Sequence, residues 1–381
     1  MIDLLVAGAG PVGLVTAINA ALNGLDVVVV EPRGGPIDKA CGEGLMSDAV
    51  ARLARIGVDP AGIPLRGIRY IAGDNLAEAC FSNAPGRGVR RTALSDALRE
   101  RARDVGVRFV EGRVDAIVQA GGWIEGGGMR SRYLVGADGL HSKVRSTLGL
   151  AAAVTGGRHR FGVRQHFAIS PWSDMVEVYW LSDAEVYVTP VGDNLVGVAV
   201  LGTAPLHLDE AIARLPALAT HLGSATPASE PRGAGPLRQR TTARHAGRAF
   251  LVGDAGGYVD ALTGEGLRMG FAEAEAVVRA VLADNPRDYE AEWQRITRSY
   301  RWLTNGLLWT SSRRTLRPLI VPAARALPTE LYDLGSDPAE SQDVARDHPD
   351  IVHRLEAVMN SEHVPHPDWP LPFADVASRA D

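Results

Sequence analysis

Residues 2–13 read Ile2-Asp3-Leu4-Leu5-Val6-Ala7-Gly8-Ala9-Gly10-Pro11-Val12-Gly13, an apolar run that breaks into a GxGxxG loop. The pattern alone is weak in a chain with 42 glycines. Its surroundings strengthen it. The run before it has the length of a strand, residues 12–22 carry a helical pattern, and Val27-Val28-Val29-Val30 closes on Glu31. A continuous valine run marks a strand covered on both faces, as in a parallel sheet. Together these make a β-α-β unit whose glycines permit a tight turn and close backbone approach. The helix start offers N–H groups and about half a positive charge to a pyrophosphate. Glu31 stands where a carboxylate accepts hydrogen bonds from a ribose hydroxyl. The unit therefore predicts a dinucleotide site built on Gly8, Gly10 and Gly13.

Working outward, residues 45–56 and 92–103 read as helices, 67–72 and 76–81 as a pair of strands. Further strands are expected near 107–110, 114–118 and 133–135, the last running into Gly136-Ala137-Asp138-Gly139. From about residue 161 to 200 the period becomes two, the signature of an antiparallel sheet. Phe250-Leu251-Val252 then returns to the buried style, before Gly253-Asp254 and a long helix from about Gly266. The expected fold is α/β: a discontinuous nucleotide-binding domain (1–65, 86–155 and 243–285) and a β-rich substrate domain (66–85 and 156–242). C-terminal helices (286–327) and an atypical tail (328–381) complete it.

Three later segments resemble one family. Gly136-Ala137-Asp138-Gly139, continuing to Arg145, resembles the DG motif of single-component flavoprotein monooxygenases. Leu251-Val252-Gly253-Asp254-Ala255-Gly256 resembles their GD motif, and Arg91 with Leu94 and Leu98 their RxxLxxxL helix start. The resemblance spans roughly residues 1–325. It implies non-covalent FAD in a three-layer, glutathione-reductase-like Rossmann domain. By position it implies that Gly8, Gly10, Val12 and Gly13 hold the pyrophosphate and that Glu31, with Arg33, holds the adenosine ribose. Arg91 would approach the phosphates or ribitol, Val114 the adenine through its backbone, and Asp254 the ribitol hydroxyls. Asp138 is implied near the cofactor, with a helix-capping turn as its alternative reading. The loop 258–267, with Gly264, Gly266 and Leu267, is implied to lie against the pyrimidine side of the flavin. A helix N-terminus there would stabilise the charge of reduced flavin. Many relatives carry a proline where this chain has Ala261.

Cys41, in Lys39-Ala40-Cys41-Gly42, resembles the K-x-C-G segment of geranylgeranyl reductases, whose cysteine lies near the flavin. Two enzymatic readings follow from the resemblances. One is an NAD(P)H-dependent monooxygenase that hydroxylates an aromatic or polyketide-like small molecule through a flavin C4a-hydroperoxide. The other is an FAD-dependent ene reductase; a non-catalytic FAD-binding protein is the third reading. Either enzyme leaves the hard chemistry to the cofactor and gives the protein positioning and water exclusion. Candidate substrate-side residues are Cys41, Arg164, His166, Tyr179 and Tyr187. The spaced tryptophans of flavin halogenases are missing, and a second glycine fingerprint is missing too, so NAD(P)H would bind transiently.

A net charge of −5 predicts neither a nucleic-acid partner nor an anionic membrane. Two cysteines without metal spacing predict a reducing cytoplasm and no metal. The N-terminus lacks the pattern of a signal peptide, and no run reaches the roughly 18 apolar residues of a membrane span. A soluble protein without stable membrane insertion is expected. Leu307, Leu308, Trp309 and Leu316 are expected to pack inward, with Arg313, Arg314 and Arg317 outward. In the tail, Leu331-Tyr332-Asp333-Leu334 with Asp337-Pro338 and Glu340 resembles the C-terminus of arylsulfatases and points to a fused or recombined segment. A helix is expected from Asp337 to about Met359. Sulfatase activity is not implied, because neither cysteine has a proline two places on.

Overall fold

The computed structural model describes residues 1–326, apart from 82–83, 155–158, 204–205 and 224. The tail, with its arylsulfatase-like stretch and expected helix, lies outside the described residues.

The run that opens the chain becomes the strand Ile2–Ala7 at the centre of a sheet. Val27–Glu31 and then Arg108–Glu111 lie on one side of it, Met129–Gly136 and then Ala249–Leu251 on the other, all parallel. Both faces are covered, which is why the strand sequences do not alternate. Leu4, Val6, Val27 and Val29 pack under the helices Pro11–Leu22, Arg91–Asp104 and Gly266–Leu282. Leu5, Ala7, Val28 and Val30 pack on the opposite side against Val114, Ile124, Leu134 and Val144. That third layer is the hairpin Ile117–Ala120 and Trp123–Gly126, which continues into Met129–Gly136. Each buried valine or leucine contributes about 1.5–3 kcal/mol, so the two cores together fix the sheet.

Here one expected strand shifts. Residues 112–116 leave the sheet and the strand begins at Ile117. Val114 is 5 % exposed and fills the core between sheet and hairpin while the chain crosses from one layer to the other.

A second sheet runs Thr226–Pro227, Arg160–Ala168, Leu195–Thr203, Ala184–Gly192, Met175–Trp180, Gly67–Ala72, Asn75–Cys80. The early hairpin thus joins strands about a hundred residues later, at a parallel pairing of Gly67–Ala72 with Met175–Trp180. The sheet is otherwise antiparallel, with that one exception. No tight turn links these two strands, so their direction is not constrained by a hairpin. One face packs on the helices Leu208–Ala213 and Pro216–Leu222 through Val186, Val188, Val196, Val198 and Leu218. The other face carries Ile68, Val178, Tyr187, Ala199 and Leu201.

Beyond the second sheet the described residues form the helices Pro286–Ser311 and Ile320–Ala326, with the short 3-10 turn Arg317–Leu319, which holds Pro318, between them. Arg317 is not outward as expected. It is 8 % exposed, because the fully buried Glu185 requires a cation and Arg317 Nη2 donates to its Oε1 at 2.6 Å. No helix among the described residues is long and apolar enough to cross a membrane.

Candidate functional site

The motifs that are far apart in sequence meet because their strands are neighbours. Gly8 N–H donates to the Val30 carbonyl, Ala137 N–H to that of Ala7, and Val252 N–H to that of Gly136. The C-terminal ends of the parallel strands therefore gather the glycine loop, Glu31, Asp138 and Asp254 along one edge. Ligands bind at such an edge in open α/β sheets. A cavity of about 640 Å³ opens there and reaches the apolar face of the second sheet.

Every implied cofactor residue lines this cavity except Gly13. Gly13 acts underneath: a Cβ there would stand 2.1 Å from the Gly8 carbonyl oxygen. Gly8 has φ +110°, and a Cβ on it would meet the Ala137 carbonyl at 2.6 Å. Only glycine fits either position. Pro11–Leu22 starts at Gly10 without a side-chain cap, so its first N–H groups remain available to an anion.

The charged residues fit FAD on independent grounds. Arg91 is 8 % exposed, yet its Nε and Nη1 have no hydrogen-bond partner. Buried donors left open in this way call for a ligand acceptor. Burial pulls the Arg91 guanidinium below its ordinary range, with Cys41, Asp254 and Glu43 opposing. Glu31 Oε2 accepts from Ala9 N–H at 2.9 Å and Oε1 from Arg33 Nε at 2.6 Å, which orients the carboxylate at the end of its strand. Asp138 Oδ2 accepts from Lys143 and Val144 N–H at 2.7 and 3.1 Å, the helix-capping alternative, while its buried Oδ1 has no partner. Asp254 Oδ2 lies 3.5 Å from Lys39 Nζ.

The substrate-side candidates separate. Cys41, Arg164 and Tyr187 line the cavity; His166 and Tyr179 do not. Tyr179 points to the opposite face of its strand and donates to Glu177 Oε2 at 2.7 Å. Tyr187 donates to the Leu262 carbonyl at 2.7 Å, and burial pushes its phenol well above the usual range, so it stays a donor. His166 is fully buried behind the loop that carries Cys41, with Nε2 2.6 Å from Glu43 Oε2. Arg164 Nη1 lies 3.0 Å from His166 Nδ1 and Nη2 donates to Asp38. An arginine only donates, so Nδ1 accepts and the imidazole proton sits on Nε2, facing Glu43.

Glu43 is the residue sequence reasoning missed. It adopts φ 60° and is 3 % exposed. Its carboxylate also accepts from Arg91 N–H at 2.8 Å, and its own N–H donates to Cys41 Sγ at 3.4 Å. Thr189 Oγ1 donates to the Gly42 carbonyl at 2.8 Å. These bonds fix the loop 39–44 against the cavity. A glutamate between two glycines was visible in the sequence, but its partner is 123 residues away.

Residues 91–284 match the family model described as FAD binding domain. The chain belongs to the FAD-binding domain family. With its enzymatic relatives, it is an FAD-dependent oxidoreductase. It is 29 % identical over 327 residues to a menaquinone reductase of Mycolicibacterium smegmatis, covering 76 % of this chain and 79 % of that one. To a rifampicin monooxygenase of Rhodococcus hoagii it is 28 % identical over 361 residues, covering 86 % and 71 %. Among solved structures, a triple mutant of the flavin-dependent brominase Bmp2 superposes with a TM-score of 0.76 at 17 % identity, covering 94 % of this chain and 100 % of that one. This last likeness concerns the fold.

Proposed function

We propose that this FAD-binding protein reduces a carbon–carbon double bond of an apolar, isoprenoid-like substrate, with NAD(P)H as a transiently bound donor. The observation that carries the reading is the cavity wall. Beside the flavin motifs, Ile68, Val176, Val178, Ala199, Leu201 and Leu237 form a continuous apolar surface. Arg164, Tyr70 and Tyr187 stand in one cross-strand row on that wall; Arg164 donates to Asp38 and the Tyr187 hydroxyl to the Leu262 carbonyl. A hydrocarbon chain would leave water there for a mainly aliphatic surface. Residues 66–85 and 156–242 would form this substrate half.

FAD, when bound, supplies the electron pair as a hydride equivalent. Gly8, Gly10 and the start of Pro11–Leu22 would receive its pyrophosphate, Glu31 the ribose, Arg91 the phosphates or ribitol, and Asp254 the ribitol hydroxyls. The chain's own part in the reaction is a proton and a dry chamber. Cys41 Sγ–H is the donor that the loop presents to the cavity, and Glu43 holds that loop in one conformation. The balance is alkene plus NAD(P)H plus H⁺ giving the saturated product and NAD(P)⁺.

Hydroxylation of an aromatic or polyketide-like substrate is the second reading, favoured by the monooxygenase relative that spans 86 % of this chain. One experiment separates them. Purified holoenzyme is given NAD(P)H and a polyprenyl substrate without oxygen, and the product is weighed. A gain of two hydrogens under anaerobic conditions supports reduction. A product that forms only with O₂ and carries one added oxygen overturns it.

A further inference from the structure

The turn between Tyr258 and Gly266 lines the cavity through Tyr258, Ala261, Leu262, Thr263 and Gly264. It precedes the 17-residue helix Gly266–Leu282. Behind it lies a chain of four buried charges that neither the cofactor motifs nor the apolar wall accounts for. Arg317 donates to Glu185 Oε1 at 2.6 Å, and Arg160 Nη2 to Glu185 Oε2 at 2.5 Å. Arg160 Nε then donates to Asp260 Oδ2 at 3.0 Å. The side-chain exposures are 13 % for Arg160, 8 % for Arg317, 2 % for Asp260 and zero for Glu185. Two cations and two anions leave the row neutral, which is the condition for keeping it buried.

The row ends on the turn itself. Asp260 Oδ1 accepts from Leu262 N–H at 3.1 Å, and the Asp260 carbonyl accepts from Tyr300 Oη–H at 2.7 Å. From the cavity side, Tyr187 Oη–H donates to the Leu262 carbonyl at 2.7 Å. Leu262 is therefore gripped at both its N–H and its C=O by side chains from different elements. No proline stiffens this turn, since Ala261 leaves φ free and Gly264 sits at φ +69°; its local restraint is the bond to Asp260.

We propose that Asp260 is a positioning residue for the flavin-facing turn. Through Arg160 and Glu185 it ties the turn to the substrate sheet and the C-terminal helices, and with Tyr187 it sets where the turn's peptide groups stand towards FAD. The role belongs to the folded turn and does not depend on which reaction the flavin carries out.

Amide hydrogen exchange on the full-length holoenzyme tests it, with the midpoint potential of the bound flavin measured alongside. In Asp260→Asn the charge is lost but the size is kept, and Arg160 still pairs with Glu185. The amides of residues 261–264 should exchange about tenfold faster, while the Gly253 amide, bonded to Glu273, keeps its rate. The midpoint potential should fall, because peptide dipoles that drift from the flavin stabilise its reduced anion less. Equal acceleration at Gly253 and at 261–264 would mean general destabilisation and overturns the proposal. So does an unchanged rate at 261–264 with an unchanged potential. If Asp260→Asn does not fold, Tyr187→Phe carries the test, since it releases the Leu262 carbonyl without touching a charge. Unaltered exchange at 261–264 in that variant also overturns the clamp.

Discussion

At Gly13 a single added carbon would collide with the Gly8 carbonyl, whereas at Glu43 a whole side chain is needed, and two others and the Arg91 backbone N–H converge on it. Both loops border the same cavity and both are rich in glycine. The first takes its shape from missing side chains and from contacts within a few residues or between adjacent strands. The second is shaped by a carboxylate, an imidazole and a guanidinium brought from the other sheet. A backbone cradle suits a ligand that is gripped by its phosphates. A side-chain clamp suits a loop that must hold one side chain in place, as the proposed reduction asks of Cys41.

Breaking the cradle should cost most. Gly13→Ala puts backbone against backbone with no flexible atom to yield, so a loss of about 4 kcal/mol or more is expected. Melting temperature and the FAD retained on purification read this out; a variant that keeps both would remove the steric argument. Next comes the clamp. Glu43→Ala leaves His166 Nε2 and the Arg91 N–H without their buried acceptor and takes a carboxylate from beside Arg164, at about 3–5 kcal/mol. A double-mutant cycle with His166→Leu should return a coupling of about 1–3 kcal/mol, and additivity would show that the pair is not a unit.

A smaller effect is expected at Glu273, which supports the Asp254 loop by accepting from Gly253 N–H at 2.6 Å. Burial pushes its carboxyl up to about 8, opposed by the Gly253 amide and by Arg244, with Asp254 adding to the rise. A buried acid with a raised value holds a proton that the unfolded chain has released. Its stabilising contribution is therefore complete below about pH 4.5 and is lost as pH rises towards 8. Glu273→Gln should flatten the pH dependence of stability across that window by a few kcal/mol. Chemical denaturation at pH 5 and pH 8 decides it: parallel behaviour of variant and parent would exclude Glu273 as the titrating group. The smallest structural effect belongs to Cys41→Ser, within about 0.5 kcal/mol at this half-exposed site. Turnover should nevertheless fall more than tenfold with FAD content unchanged. Full activity would end the thiol's role as proton donor.

The same contrast explains how much the sequence disclosed. Gly8, Gly10 and Glu31 were legible because a β-α-β unit is local and its glycines act through their own backbone. Asp138 and Asp254 were legible through resemblance, and the fold brings them to one edge because their strands adjoin. Val114 was read as a strand residue because its neighbours alternate, yet core filling between two layers overrode that periodicity. The alternation of their strand points Arg164 and His166 alike towards the cavity, which Arg164 lines and His166 does not. That pattern cannot tell a residue that meets substrate from one that fixes a loop behind it. Glu43, Glu185 and Asp260 escaped for one reason. Their meaning lies in partners that are remote in sequence, and a lone acidic residue does not name the group that will meet it.

The order of strands across the first sheet also has a consequence in time. Ile2–Ala7 emerges first during synthesis, but Ala249–Leu251, which completes that sheet and leads into Asp254, emerges some 240 residues later. At ordinary elongation rates of about 5–20 residues per second, a nascent chain spends more than ten seconds with its opening glycine loop made and the opposite wall absent. The cofactor therefore meets both walls of its site only after the late strand has joined the sheet.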